Sequence, residues 1–299
     1  MKQPNCGYRR SSCRLTARRI LPAMVVALSL AIGGPVFAIK RHPSVAEINY
    51  RTFGNKFPAA VMLIPRGGTG VVVSPTWVLT AAHCVDRDAL GGAECSVKVD
   101  GKMLSVEEIV LHPRYELGFM HHDIALLRLS EPVQRESTLP VYVGDGEAGK
   151  NCVIVGYGWG SPFGTSVEPG SEPVGEESSI KRAGTNRVSR VTPETIHANN
   201  TLKNGRTELG CGIASGDSGG PLIIEFDGNR YVAGIVSGTT ADDVDEADFT
   251  RVSAYGRWIE DVTGDDFGAP RPATPWLWGC VLTVGALYLI GLIFFRKRT

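Results

Sequence analysis

The chain has 299 residues, 31 basic and 31 acidic side chains and no formal net charge; hydrophobic residues make up 43% and glycine supplies 36 positions. That length and apolar content give enough core for one large domain or two small ones. They exclude a disordered tail, a collagen, a small disulfide scaffold and a polytopic membrane protein.

The first 38 residues hold six basic side chains (Lys2, Arg9, Arg10, Arg14, Arg18, Arg19) and no acid. An apolar run follows from Ile20 to about Ile32, then small residues lead to Val36-Phe37-Ala38. This is the pattern of a secretory signal peptide, and residues 1–38 are expected to be removed after Ala38, with Ala31 as the alternative cut. An uncleaved anchor is the competing reading.

From Ile39 to Thr263 short apolar or alternating runs are broken by Gly, Pro, Asn and Asp. Val71–Val73, Trp77–Thr80, Ile124–Leu129, Val153–Val155, Leu222–Phe226 and Tyr231–Ser237 read as strands. Their number and spacing predict an all-β antiparallel sandwich or barrel. Gly160–Thr185, rich in Gly, Pro, Ser and Glu, reads as a long surface loop. Val252, Tyr255, Ile259 and Val262 fall on one face of a short helix near the end of this region. No internal repeat is visible.

Residues 264–275 read as a Pro-rich stalk. Trp276 to Phe295 is twenty residues without a charge, enough at 1.5 Å per residue to cross about 30 Å of hydrocarbon. Trp276 and Trp278 mark one boundary, and the tail 296–299 begins with Arg296-Lys297-Arg298 on the cytoplasmic side. A membrane-anchored, extracytoplasmic domain is therefore expected. A sorting signal that releases the domain by processing is the alternative. The nine basic residues at the two ends leave 22 against 31 acidic between Ile39 and Pro275, a net of −9. An acidic exported domain speaks against nucleic acid and anionic headgroups as partners.

Of seven cysteines, Cys6 and Cys13 lie in the leader and Cys280 in the span. The four that remain, Cys84, Cys95, Cys152 and Cys211, are an even set in an exported domain and favour disulfides. Three connectivities are open. Cys84–Cys95 with Cys152–Cys211 is expected, the first closing a small loop and the second stapling distant strands. No Cys-x-x-Cys pair supports zinc, neighbouring His121 and His122 on a strand would point apart, and no metal or cofactor is expected. His42, His112 and His197 have no partner pattern and read as solvated or structural.

Three segments carry candidate chemistry. Thr80-Ala81-Ala82-His83-Cys84 puts a histidine after a strand, and His121-His122-Asp123-Ile124 puts an acid before another. Ser215-Gly216-Asp217-Ser218-Gly219-Gly220-Pro221 puts a serine in a glycine-packed turn. A serine hydroxyl needs a base to become a nucleophile, and the base needs a third group to fix its tautomer. Glycine lets successive N–H groups converge on one point, as an oxyanion hole requires.

Together, in the order His, Asp, Ser, these segments resemble the trypsin/chymotrypsin-like family of serine endopeptidases in its bacterial, secreted form. The resemblance covers Ile39 to Thr263, including Cys152 to Gly158, His112-Pro113 and Trp258-Ile259. It implies two antiparallel Greek-key barrels with the site between them and a short C-terminal helix. It also implies Ser218 as nucleophile, His83 as base, Asp123 as orienting carboxylate, and the N–H groups of Gly216 and Ser218 as oxyanion hole. Asp217 occupies the place of the acid that binds the activated N-terminus, and cleavage after Ala38 would make Ile39 that terminus. Ile39-Lys40-Arg41-His42 departs from the family's usual Ile-Val-Gly-Gly. Gly212 stands where basic-specific members carry an aspartate, and Ser237-Gly238-Thr239 where many show Ser-Trp-Gly. These substrate-pocket residues imply small or medium apolar side chains at the cleaved bond of a protein or peptide substrate, with basic specificity as the alternative. A catalytically silent binding protein and an esterase or acyltransferase are the competing classes.

Overall fold

The structure is a computed structural model. It describes residues 39–116, 121–158, 161–162, 180–199, 208–239 and 246–267. The leader (1–38), most of the stalk, the apolar segment 276–295 and the basic tail lie outside these. Among the described residues no helix is long and apolar enough to cross a membrane.

After strand β1 (Lys40–Arg41) and helix α1 (Glu47–Gly54), six strands close a first barrel. They are β2 (Ala60–Ile64), β3 (Thr69–Ser74), β4 (Trp77–Thr80), β5 (Ser96–Val99), β6 (Lys102–Leu111) and β7 (Ala125–Leu129), with helix α2 (Arg87–Leu90) between β4 and β5. Around the barrel they run β2-β3-β4-β7-β6-β5, every pair antiparallel. The second barrel uses β8 (Asn151–Gly156), β10 (Arg182–Val191), β11 (Thr195–Asn199), β13 (Pro221–Phe226), β14 (Asn229–Gly238) and β15 (Glu246–Arg251). Its order, β8-β10-β11-β15-β14-β13, is that of the first barrel, and it too is wholly antiparallel. Two short strands, β9 (Ser161–Pro162) and β12 (Cys211–Gly212), flank β1 in a small third sheet. Helix α3 (Gly256–Thr263) closes the domain, preceded by a 3₁₀ turn over Val252–Tyr255.

The corresponding hairpins of the two barrels, β5–β6 and β13–β14, both turn on Asp-Gly. Asp100 and Gly101 have φ of 47° and 83°, Asp227 and Gly228 49° and 76°. Positive φ at both central positions gives the turn whose twist matches the strands, and Asp-Gly is the pair that adopts it at least cost.

Apolar side chains fill each barrel. The first core runs through Val71, Leu79, Val97, Leu126 and Leu127, and the second through Ile154, Ile196, Leu222 and Phe249. A third cluster, with Ala60 from one barrel and Val155, Ala183 and Ile223 from the other, joins them. The expected helical face is present, with Val252, Tyr255 and Ile259 buried. Phe267, at the start of the expected stalk, packs on the first core.

Two expectations need correction. Arg182–Thr185, read as the end of a long loop, begins β10, where Ala183 and Gly184 pair with Val155 and Ile154. Buried on the sheet, that stretch carries too little apolar alternation to announce itself as a strand. All four cysteines are free thiols, so the expected bridges are not formed in the structure. Cys84 Sγ instead faces His83 Nε2 at 3.6 Å. The thiols are nonetheless grouped as expected: burial, then the neighbouring Cys84, raises the Cys95 pKa, and burial, then Cys152, raises that of Cys211. His197, read as solvated or structural, is buried against Asp248.

Candidate active site

The pairing of β4 with β7 explains how residues forty apart in the chain meet. Thr80 lies opposite Ala125. The chain continues from Thr80 into a 3₁₀ turn over Ala82–Cys84 that carries His83, and it arrives at Ala125 through Asp123. His83 Nδ1 lies 2.7 Å from Asp123 Oδ2, and the His83 backbone N–H donates to Asp123 Oδ1 at 2.9 Å.

Asp123 is fully buried, so each of its oxygens must find a donor. Ser237 Oγ donates to Oδ2 at 2.6 Å, and Thr250 Oγ1 donates to the Asp123 carbonyl at 2.9 Å. Both come from the second barrel, so the carboxylate is held from both sides of the interface. His122 adopts φ 50°, turning the chain so that Asp123 points inward, and its Nδ1 lies 2.9 Å from Tyr255 Oη. His112 stacks beside that pair, its ring centroid 5.3 Å from His122, 5.0 Å from Tyr255 and 5.1 Å from Trp258. The His121 side chain is exposed. Burial works against a charged His83, but the hydrogen bond to Asp123 and the neighbouring Cys84 together outweigh it and hold the imidazole pKa above its ordinary value.

Ser218 sits in the turn before β13. Its carbonyl accepts from Thr69 N–H at 2.8 Å, while Gly219 N–H donates to the Val236 carbonyl and Val236 N–H to the Gly220 carbonyl, each at 2.8 Å. At Gly219, with φ 80°, an added Cβ would lie 2.1 Å from Thr80 Oγ1 and 2.2 Å from the Thr69 carbonyl. Only glycine lets the serine turn press this closely on the end of β4. Gly68 bridges the two turns, since a Cβ there would lie 3.4 Å from Cys84 Sγ and 3.5 Å from the Ser218 carbonyl. His83, Asp123 and Ser218 are thus on turns brought to one end of the two barrels.

Residues 49–259 match the family model described as Trypsin. The chain belongs to the trypsin family. Its domain is accordingly of the serine-endopeptidase class, a hydrolase. Trypsin of Phaedon cochleariae is 36% identical over 65% of this chain and 78% of its own length. An uncharacterized peptidase of Corynebacterium glutamicum (strain R) is 27% identical over 84% of both chains. Vitamin K-dependent protein C of Oryctolagus cuniculus is 28% identical over 69% of this chain, which spans about half of that longer protein (48%). Among solved structures, HL collagenase at 1.7 Å matches with a TM-score of 0.52 and 21% identity, covering 70% of this chain and 95% of that one, a likeness of fold.

The remaining expected residues lie beside the serine turn of this trypsin-family domain. Asp217 is fully buried; Oδ1 accepts from Gly158 N–H and Oδ2 from Ala214 N–H, each at 3.0 Å. Burial pushes its carboxyl up to about 8, although those two N–H groups and Arg182 favour the carboxylate. Ile39 is fully buried, and Lys40 of β1 pairs with Gly212 of β12. Ser237 is buried and Thr239 exposed.

No motif pointed to Thr69. Its hydroxyl donates to the Gly216 carbonyl at 2.9 Å and accepts from Tyr157 N–H at 3.0 Å, while Thr80 Oγ1 donates to the Thr69 carbonyl at 2.8 Å. A buried threonine next to the glycines of Arg66-Gly67-Gly68 was the only signal available. Arg182 was missed as well: it is buried, donates to the Gly158 carbonyl at 3.1 Å and pairs with Glu47 Oε1 at 2.6 Å.

Proposed function

We propose that this chain is an exported serine endopeptidase that cleaves protein or peptide substrates through an acyl-enzyme. The observation that carries this reading is the His83–Asp123 contact at 2.7 Å, on a turn packed against that of Ser218. In the mechanism Ser218 Oγ attacks the scissile carbonyl while His83 Nε2 takes its proton and later gives it to the leaving amine. Asp123 keeps the Nδ1–H tautomer and stabilises the imidazolium that forms. The N–H groups of Gly216 and Ser218 receive the developing oxyanion.

The buried Asp217 and the buried Ile39 support an activation step in which cleavage after Ala38 creates an α-ammonium at Ile39. That cation would pair with Asp217 and fix the oxyanion loop. A carboxyl held near 8 by burial is a group in want of a cation. Gly212 puts no carboxylate in the pocket, which supports small or medium apolar side chains before the cleaved bond. The uncharged stretch at 276–295, followed by basic residues, supports tethering of the domain outside the cytoplasm.

A serine-directed phosphonate decides the chemistry. It should label the mature protein once, and Ser218→Ala should abolish both labelling and peptide cleavage. Labelling that survives Ser218→Ala would remove Ser218 as nucleophile. A peptide panel varying Arg, Leu, Ala and Phe before the scissile bond tests specificity, and cleavage after Arg alone would reverse the apolar preference. N-terminal sequencing of the mature chain should begin at Ile39; another start ends the proposal that export itself generates the activating end.

A further inference from the structure

The second barrel also carries a histidine and two carboxylates on one face. β11 and β15 pair with His197 opposite Asp248 and Asn199 opposite Glu246. Alternate residues of a strand share a face, so Glu246 and Asp248 project to the side of His197, while Ala247 between them is fully buried. His197 Nδ1 lies 2.7 Å from Asp248 Oδ1 and 3.3 Å from Glu246 Oε2. One ligand atom from each of the three falls within 4.8 Å of the others.

The cluster has a closed back and an open front. The His197 side chain is only 9% exposed, whereas Asp248 and Glu246 keep 17% and 25%. Among the described residues His197 Nε2 is buried without a hydrogen-bond partner, so the ring's polar contacts there are to the carboxylates at Nδ1. Two carboxylates this close favour a cation between them. Arg190 supplies part of that charge, its Nη2 2.7 Å from Glu246 Oε2, but its side chain is half exposed and free to turn into water.

We propose that His197 Nδ1, Glu246 Oε2 and Asp248 Oδ1 form a binding site for one divalent transition-metal cation, for which Zn²⁺ is the matching probe. Zinc bonds to nitrogen and oxygen of about 2.0–2.2 Å place tetrahedral ligand atoms roughly 3.4 Å apart. The Nδ1–Oε2 separation already fits. The Nδ1–Oδ1 contact opens by rotation of the Asp248 carboxylate once the proton it shares with the ring departs, so binding releases a proton. An imidazole ligand selects zinc over calcium, which prefers an all-oxygen shell. The open front leaves the fourth position to water. The cation would tie β11 to β15 beside Gly238, which pairs with Asp248 and follows Ser237, the donor to Asp123. The site stands independently of the proposed triad.

Isothermal titration of the purified protein with ZnCl₂ near neutral pH tests it. The chain has a second histidine–carboxylate pair, His83–Asp123, so His83→Gln belongs beside His197→Gln and Glu246→Gln. One equivalent should bind, weakened about tenfold or more in His197→Gln and Glu246→Gln, the range expected for loss of a metal-site group, and unchanged in His83→Gln. CaCl₂ should bind more weakly, and crystals soaked in zinc should show an anomalous peak between the three side chains. Glu246 is partly exposed, so its variant keeps the test valid if His197→Gln does not fold. No binding tighter than about millimolar, wild-type affinity in both site variants, or loss confined to His83→Gln would each overturn the proposal.

Discussion

Thr69 shows how a single hydroxyl can govern a site that no motif assigns to it. Its Oγ1 ties the Gly216 carbonyl to the Tyr157 N–H, and Gly216 carries one of the two N–H groups proposed for the oxyanion hole. Thr69→Val keeps the shape and removes both bonds, leaving a partly buried N–H and carbonyl unpaired. The expected loss of stability is about 1–3 kcal/mol, read from urea denaturation. If the Gly216 peptide loses its orientation, kcat should fall roughly ten- to a hundredfold, less than removal of an oxyanion donor itself costs, with KM little changed. Thr69→Ser should restore both. A valine variant with wild-type kcat would make Thr69 purely structural. For Asp123→Asn, kcat should fall on the order of 10⁴-fold, the magnitude known for this family's triad acid, without loss of the fold. His83, Asp123 and Ser218 were legible because each sits in a local motif. Thr69 and the role of Ser237 toward Asp123 were not, because each acts on a residue far away in the chain.

At the scale of elements, the strands that the pattern revealed are those with continuous apolar runs, such as β3, β4, β7 and β13. The half-exposed β6 and the polar β10 were not legible: their register depends on neighbours rather than on alternation of their own. The two Asp-Gly hairpins mark equivalent corners of the two barrels, although the sequences show no repeat. Glu246 and Asp248 belong to β15 and face His197. A separate buried pair anchors the far end of that strand. Glu147 is fully buried, with Arg251 Nε 2.8 Å from Oε1, Nη2 3.0 Å from Oε2, and Ser253 Oγ donating to Oε1 at 2.9 Å. Glu147→Gln strands a mostly buried guanidinium and should cost about 3–5 kcal/mol, seen as a lower denaturation midpoint with an unchanged m-value.

For the whole molecule, the fully buried Asp217 makes stability depend on pH. Its folded carboxyl lies near 8, raised by burial, against an ordinary value of 3.8. Between those values the folded chain holds a proton that the unfolded chain has released. A chain still joined to its leader should therefore lose stability as pH rises from about 4 to about 8, with the loss complete above that window. Asp217→Asn should flatten that part of the curve. In a chain beginning at Ile39, an α-ammonium on Asp217 would lower its pKa and remove the decline. Melting curves of the three proteins across this range check the sign; a leader-bearing chain that gains stability over the window would refute it.

Read alone, the sequence carried the expectation of export and anchoring segments, which lie outside the described residues, and revealed the order of the chemical motifs, the family they resemble and the main apolar strands. Each is a local property, carried by composition, spacing or a few adjacent residues. Closure of two barrels with one shared strand order, the grip of Ser237 and Thr250 on Asp123, the bridging by Thr69 and the meeting of His197 with Glu246 and Asp248 were decided by tertiary structure. Those arrangements depend on strand register and on burial, which bring together residues that no window of the chain contains.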